Sequence, residues 1–258
     1  MPFTISHSAA AIPFRRTRLD MSALVFGCFA PDMEYFLWLR PHGHFGHTLP
    51  GLLLFDLPAS LICLFFFHQY AKAPLIACLP ARLRERLRKN DRASLRKVSG
   101  FALICASVIV GSVTHIVWDS FTHTEYWVGL HWPLLRTAVV LPVFGYRLWA
   151  SIFQYISSVF GLIAILVWFI HWYRNAPPDH AETEGLSVSR DRLVVSAALA
   201  AAILAGLIRA GIDGIPNGIH GFQRFTTEAL ITGITVFCFE IIAYGFLHSR
   251  LRDSSELA

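Results

Sequence analysis

His115 and Asp119 stand four residues apart in Thr-His-Ile-Val-Trp-Asp-Ser-Phe-Thr-His. On a helix that spacing projects both side chains from one face. An imidazole and a carboxylate held this way can share one metal ion or bind two neighbouring ions. His123 lies one further turn on if the helix continues, with His131 beyond it. A second histidine group, His42, His44 and His47, sits in a short polar stretch just before a long apolar run. Asp32 and Glu34 follow a proline in Ala-Pro-Asp-Met-Glu-Tyr. Acids in so apolar a setting are costly unless paired or metal-bound. Carboxylate together with imidazole suits zinc, manganese or iron, and zinc is the commonest choice.

Each piece also has a blander reading. A lone His-x-x-x-Asp pair is more often a hydrogen bond on a helix surface. Three histidines in one loop can be coincidence, and an acid after proline can cap a helix. Hydropathy and charge bias, argued separately, bring both histidine groups to one membrane face, and that convergence favours a metal site.

The elements that must position these residues are apolar helices. The chain is 55% hydrophobic and only 15% charged, with mean hydropathy +0.51. A soluble domain carries roughly 25% charged residues. The shortfall excludes an ordinary cytosolic enzyme, a disordered chain and a nucleic-acid-binding module. Five stretches reach the roughly 18–20 apolar residues needed to cross a bilayer: Thr48–Tyr70, Val98–Trp118, Ser151–Tyr173, Leu193–Ile212 and Thr227–His248. Met21–Leu39 is shorter and holds Pro31, Asp32 and Glu34, the pattern of a broken or re-entrant helix. The expected fold is all-α, a polytopic membrane bundle of five or six segments with a short or re-entrant N-terminal helical part. We read 1–258 as a single transmembrane domain. Within it, 1–47 carries ligands, 48–173 forms the core helices, 174–192 is a polar linker and 193–258 is a helix pair.

Net charge is +5, concentrated in Ala71–Lys97, which holds nine of the 22 basic residues. The positive-inside rule puts that segment in the cytoplasm, and part of it, Leu79–Lys89, reads as an interfacial basic helix. Alternation then places Arg40–His47 and Asp119–Ala150 outside. Cys28, Cys63, Cys78, Cys105 and Cys238 contain no C-x-x-C pair and read as core hydrophobes. The N-terminal stretch lacks the pattern of a cleavable signal peptide, and no lipidation motif is expected. Asp56 and Glu240 are buried ionisable residues, either of which is a candidate partner for Arg209.

Four motifs occur in order: Met-Pro-Phe-Thr-Ile-Ser-His7, Gly27-Cys-Phe-Ala-Pro-Asp32-Met-Glu34, Gly46-His47-Thr48 and Thr114-His115-Ile-Val-Trp-Asp119-Ser-Phe-Thr-His123. Together with Phe55-Asp56-Leu57-Pro58, they resemble the bacterial DUF4184 family over most of the chain. The same order is similar to a wider group of membrane-bound metal-dependent hydrolases, and its last element to zinc-dependent phospholipase C. The resemblance implies His7, Asp32, His47, His115 and Asp119 as metal ligands, with His44 and His123 as further ligands or proton carriers. Glu34 stands where the wider group has Asp. Gly46 and Thr48 replace the Thr and Ser that flank the histidine there. For His7 to join the site, Met21–Leu39 must be re-entrant or half-spanning, although Arg15, Arg16 and Arg18 favour the cytoplasm.

The expected function is a metal-dependent hydrolase in the bacterial inner membrane, holding one or two Zn²⁺-like ions at the external face. Asp32 or Glu34 would serve as general base. Membrane lipids are the expected partners, a lipid-linked phosphoester the expected substrate, and nucleic acid is excluded. Arg40 and Arg136 lie in external loops and could receive a phosphate, although solvated charges are the commoner case. The alternative is a non-enzymatic membrane protein that binds or transports a divalent ion, or uses it as a structural clamp. A transporter should place ionisable residues near the midplane. Here the ligand-bearing segments cluster at helix ends.

Overall fold

The structure, a computed structural model, describes residues 4–87, 98–142, 145–177, 185–212, 214 and 217–256. It opens with a 3₁₀ segment, Thr4–Arg16. Helix α1 (Met21–Phe29) and helix α2 (Met33–Trp38) follow, separated by a 3₁₀ turn at Ala30–Asp32. The remaining helices are α3 (Leu49–Cys78), α4 (Ala81–Leu87), α5 (Val98–Ser120), α6 (Trp127–His131), α7 (Pro133–Arg136), α8 (Trp149–Asn175), α9 (Gly185–Ile212) and α10 (Gly218–Glu256).

Five of these helices are long and apolar enough to cross a membrane: Leu49–Cys78, Gly100–Ser120, Trp149–Asn175, Ser189–Ile212 and Gly221–Arg250. They coincide with the five stretches expected from hydropathy. On α8, Ile156, Val159, Phe160, Leu166 and Val167 are all exposed. Water would not tolerate so continuous an apolar surface on a monomer, whereas hydrocarbon does. Met21–Leu39 is broken, as its proline suggests. Pro31 has no N–H to donate and interrupts the α-helical ladder.

Two features are not visible in hydropathy. Helix α3 runs past Tyr70 to Cys78, absorbing irregularity in two π segments, Leu52–Asp56 and Phe67–Ala71. A short antiparallel hairpin pairs β1 (Ala138–Leu141) with β2 (Gly145–Leu148), in the register Ala138↔Leu148 to Leu141↔Gly145. Gly145 takes φ +66°, which glycine adopts without a Cβ penalty. The expected basic helix is present as α4, Ala81–Leu87; Leu79 and Pro80, expected at its start, lie ahead of it outside any helix, and residues 88 and 89 lie outside the described residues.

The chain divides into two compact units. One comprises Met1–Met33, Gly43–Leu61 and Ser94–Arg174; the other comprises Glu34–His42, Ile62–Ala93 and Asn175–Ala258. In the first, α1 crosses α5 with backbones almost touching. A Cβ on Gly27 would stand 2.2 Å from the Val108 carbonyl oxygen, and one on Gly111 2.3 Å from that of Leu24. Small residues let membrane helices approach this closely and exchange hydrogen bonds. Ser112 donates to the Gly27 carbonyl at 3.1 Å, and the Asp20 N–H donates to Ser107 at 2.9 Å. The Thr4–Arg16 segment packs on α1 and α5, burying Ser6, His7 and Ala11. Gly161 of α8 leaves room for it, since a Cβ there would lie 2.7 Å from the Ser6 carbonyl oxygen. In the second unit, α10 packs along α9 and along the later part of α3, and Tyr244 donates a hydrogen bond to Asp191.

Candidate metal centre

All the polar residues that converge lie within the first unit. His115 and Asp119 come from the last turns of α5, inside the membrane-spanning stretch Gly100–Ser120. Asp32 comes from the turn at the Pro31 break. His47 lies in the loop ahead of α3, and that loop is fixed by Thr48. The Thr48 hydroxyl accepts from the Gly51 N–H at 3.0 Å and donates to the Phe45 carbonyl at 2.7 Å, an N-cap arrangement. Gly46 is glycine for a packing reason, because a Cβ would meet the Pro31 carbonyl oxygen at 2.8 Å and Asp56 Oδ1 at 2.9 Å.

One ligand atom from each of Asp32, His47, His115 and Asp119 lies within 4.8 Å of the others, and all four residues are buried. His115 Nε2 is 3.3 Å from Asp119 Oδ2 and 3.7 Å from Asp32 Oδ1. His47 Nε2 is 3.5 Å from Asp119 Oδ2 and 3.7 Å from Asp32 Oδ1. These separations are long for hydrogen bonds. They suit the edges of a coordination polyhedron, because ligands about 2.1 Å from one tetrahedral ion stand about 3.4 Å apart.

The nitrogens themselves support this fit. Neither ring nitrogen of His7 or His47, nor Nε2 of His115, has a hydrogen-bond partner among the described residues. Buried polar atoms without partners are rare in native structures. His115 Nδ1 lies 2.6 Å from the Cys28 carbonyl oxygen. A carbonyl can only accept, so Nδ1 carries the proton and Nε2 presents its lone pair to the cluster. Metal-binding histidines are commonly oriented in this way.

His7 stacks on His115 with ring centroids 3.9 Å apart, and its Nε2 is 3.4 Å from Asp119 Oδ1. Burial, reinforced by neighbouring His115, pushes His7 down to about 3. Its imidazole is therefore neutral at neutral pH, the form that binds a metal. His123 lies at the rim with its side chain 19% exposed, and its Nδ1 is 3.8 Å from Asp119 Oδ1.

The structure thus brings together His7, Asp32, His47, His115, Asp119 and, at the edge, His123. His44 is exposed on the His47 loop, outside the four-ligand group. Glu34 is buried at the start of α2 and His42 is exposed beyond it, and both belong to the other compact unit. Arg136 donates to the Thr124 carbonyl at 3.2 Å, and Arg40 shares a cleft of the second unit with Trp38 and Arg209. Asp56 is fully buried in the first unit and Arg209 belongs to the second.

Three contributors escaped the sequence reading. Thr4 donates to Asp32 Oδ2 at 2.6 Å, Thr122 donates weakly to Asp119 Oδ1 at 3.4 Å, and Tyr126 stacks on His47. The only hint for Thr4 was its place three residues before His7. Thr4→Val should lower metal affinity about 10–100-fold, as losing an outer hydrogen bond typically does; competition with a chromophoric chelator would measure it.

Fold and site together define a multi-pass helical membrane protein with a buried Asp/His group suited to a metal ion. The chain belongs to the family described as Domain of unknown function (DUF4184), whose sequence model matches residues 1–246. Neither a curated protein nor a solved structure matches the chain.

Proposed function

We propose that this chain is a metal-dependent hydrolase of the bacterial inner membrane, acting at the lipid–water boundary on a lipid-linked phosphoester. The reading is carried by the buried Asp32/His47/His115/Asp119 group at the end of a membrane-length helix. Asp32, His47, His115 and Asp119 would hold the ion, zinc being the commonest choice for such donors. Thr4 and Thr122 orient the two carboxylates. A bound divalent ion supplies Lewis acidity and makes a nearby water more acidic. His123 marks the side from which water and substrate reach the group.

An adjoining groove supports a lipid substrate. A cavity of about 520 Å³, almost wholly apolar, opens between α5 and α8 and is lined by Val117, Trp118, Thr122, Phe153 and Phe160, among others. Thr122 hydrogen-bonds Asp119, and Trp118 meets His7 edge-on at 5.2 Å. Thr122 and Trp118 thus stand between the groove and the cluster. Charge bias supports the orientation: nine of the 22 basic residues fall in Ala71–Lys97, and alternation from that segment puts Arg40–His47 and Asp119–Ala150 on the opposite side. With that segment cytoplasmic, the cluster faces outward.

Metal-loaded protein in detergent should release phosphate from long-chain phosphoesters. Chelation should abolish the release, and His115→Ala/Asp119→Ala should reduce it by more than about 100-fold. No turnover of soluble or long-chain phosphoesters with zinc, manganese or iron would reject the enzyme. A metal that stays bound in that case would point to the carrier or clamp reading.

A further inference from the structure

We propose that the cluster holds two cations bridged by Asp119, with His7 and His123 serving the second. The inference rests on the metal-centre reading above and concerns residues outside the four-ligand group. The two oxygens of Asp119 divide the histidines between them. Oδ2 faces His115 at 3.3 Å and His47 at 3.5 Å. Oδ1 faces His7 at 3.4 Å and His123 at 3.8 Å. His7 and His115 are stacked with an interplanar angle of 22°, yet their Nε2 atoms approach different oxygens of one carboxylate. A bridging carboxylate in a two-metal site divides donors in this way, its ions standing roughly 3.5–4 Å apart.

One ion in the four-ligand group leaves His7 unexplained. His7 is 0% exposed, and neither of its ring nitrogens has a hydrogen-bond partner among the described residues. Leaving a buried polar group unsatisfied costs about 1–3 kcal/mol, whereas a second ion on the Oδ1 side would engage it. His123 sits at the rim, where its Nδ1 also contacts the Thr122 hydroxyl at 3.0 Å and the Asp119 backbone carbonyl at 3.3 Å, so it serves the second ion only by turning from those partners, and His7 is the residue that carries the position.

Charge then bears on the substrate. Metal-bound histidines are neutral, so Asp32 and Asp119 together balance one divalent ion. Even with the buried Asp56 carboxylate, packed beside Gly46, as a third negative group, a second divalent ion leaves the cluster one positive charge in excess in a buried setting, which an anion must offset. A phosphoester bridging both ions would do so, and the second ion should bind more tightly when inorganic phosphate is present.

The test uses the full chain in detergent, stripped by chelation and dialysed against Mn²⁺ with and without inorganic phosphate. Elemental analysis should find about two equivalents per chain, and electron paramagnetic resonance should show a spin-coupled pair. His7→Asn should retain about one equivalent, with the spectrum of isolated Mn²⁺. Should His7→Asn fail to fold, His123→Ala at the exposed rim tests the same position and should weaken only the second equivalent. One equivalent in the unaltered protein, unchanged by phosphate or by His123→Ala, overturns the second position and leaves the single-ion reading standing. No bound metal in the unaltered protein overturns both.

Discussion

Replacing Asp119 with asparagine should empty the cluster of metal. Asp119 is the residue on which the arrangement converges: His7, His47, His115 and His123 all place a ring nitrogen within 3.8 Å of its oxygens. Asparagine keeps the shape but removes a negative charge and presents an N–H₂ donor to a ring nitrogen. Changes outside the ligand shell already cost about 10–100-fold in affinity, so loss of this ligand should exceed that range. Stability reports the same event. A metal at 1,000 times its dissociation constant stabilises a fold by about 4 kcal/mol. The unaltered protein should therefore unfold at higher temperature with metal than without, and Asp119→Asn should unfold at the same temperature either way. A metal-dependent rise that survives in Asp119→Asn would show that the ion binds elsewhere.

The second large effect is expected from a residue that touches no ligand. Gly111→Leu should disable the cluster by prising α1 from α5. Even a Cβ at position 111 would lie 2.3 Å from the Leu24 carbonyl oxygen and 2.8 Å from the Cys28 amide nitrogen. Both neighbours are backbone, so the helices themselves must separate. Overpacking of this kind costs typically about 1–3 kcal/mol. Separation would also pull the Cys28 carbonyl away from His115 Nδ1, releasing the imidazole from its orientation. Metal affinity should fall by at least about 10-fold, accompanied by a lower unfolding temperature. Gly211→Leu provides the control, because nothing lies within 4 Å of a Cβ there. Equal losses in both variants would mean that leucine in an apolar helix is harmful in itself and that the crossing plays no special part.

The two effects mark what a sequence can reveal. The spans were legible because bilayer thickness imposes a minimum apolar length, and each run is bounded by polar residues. His115 and Asp119 were legible because helical periodicity fixes which residues share a face. Asp32 stood out as an acid beside a proline in an apolar stretch. His7 has no such signal, being one histidine among small residues far along the chain from its partners, and only the family resemblance singled it out. Thr4 is 28 residues from Asp32, and no spacing rule links them. The Gly27/Gly111 crossing was equally hidden, since glycine is common in membrane helices and only the paired backbones show which glycines are indispensable.

Metal-edge X-ray absorption on the purified, zinc-loaded protein addresses the cation directly. The Asp/His cluster predicts nitrogen and oxygen neighbours at about 2.0–2.2 Å, the outer-shell scattering of at least two imidazoles, and loss of that signal in His115→Ala/Asp119→Ala. A spectrum of water ligands alone, one with sulfur neighbours, or one unchanged by the double substitution would contradict it.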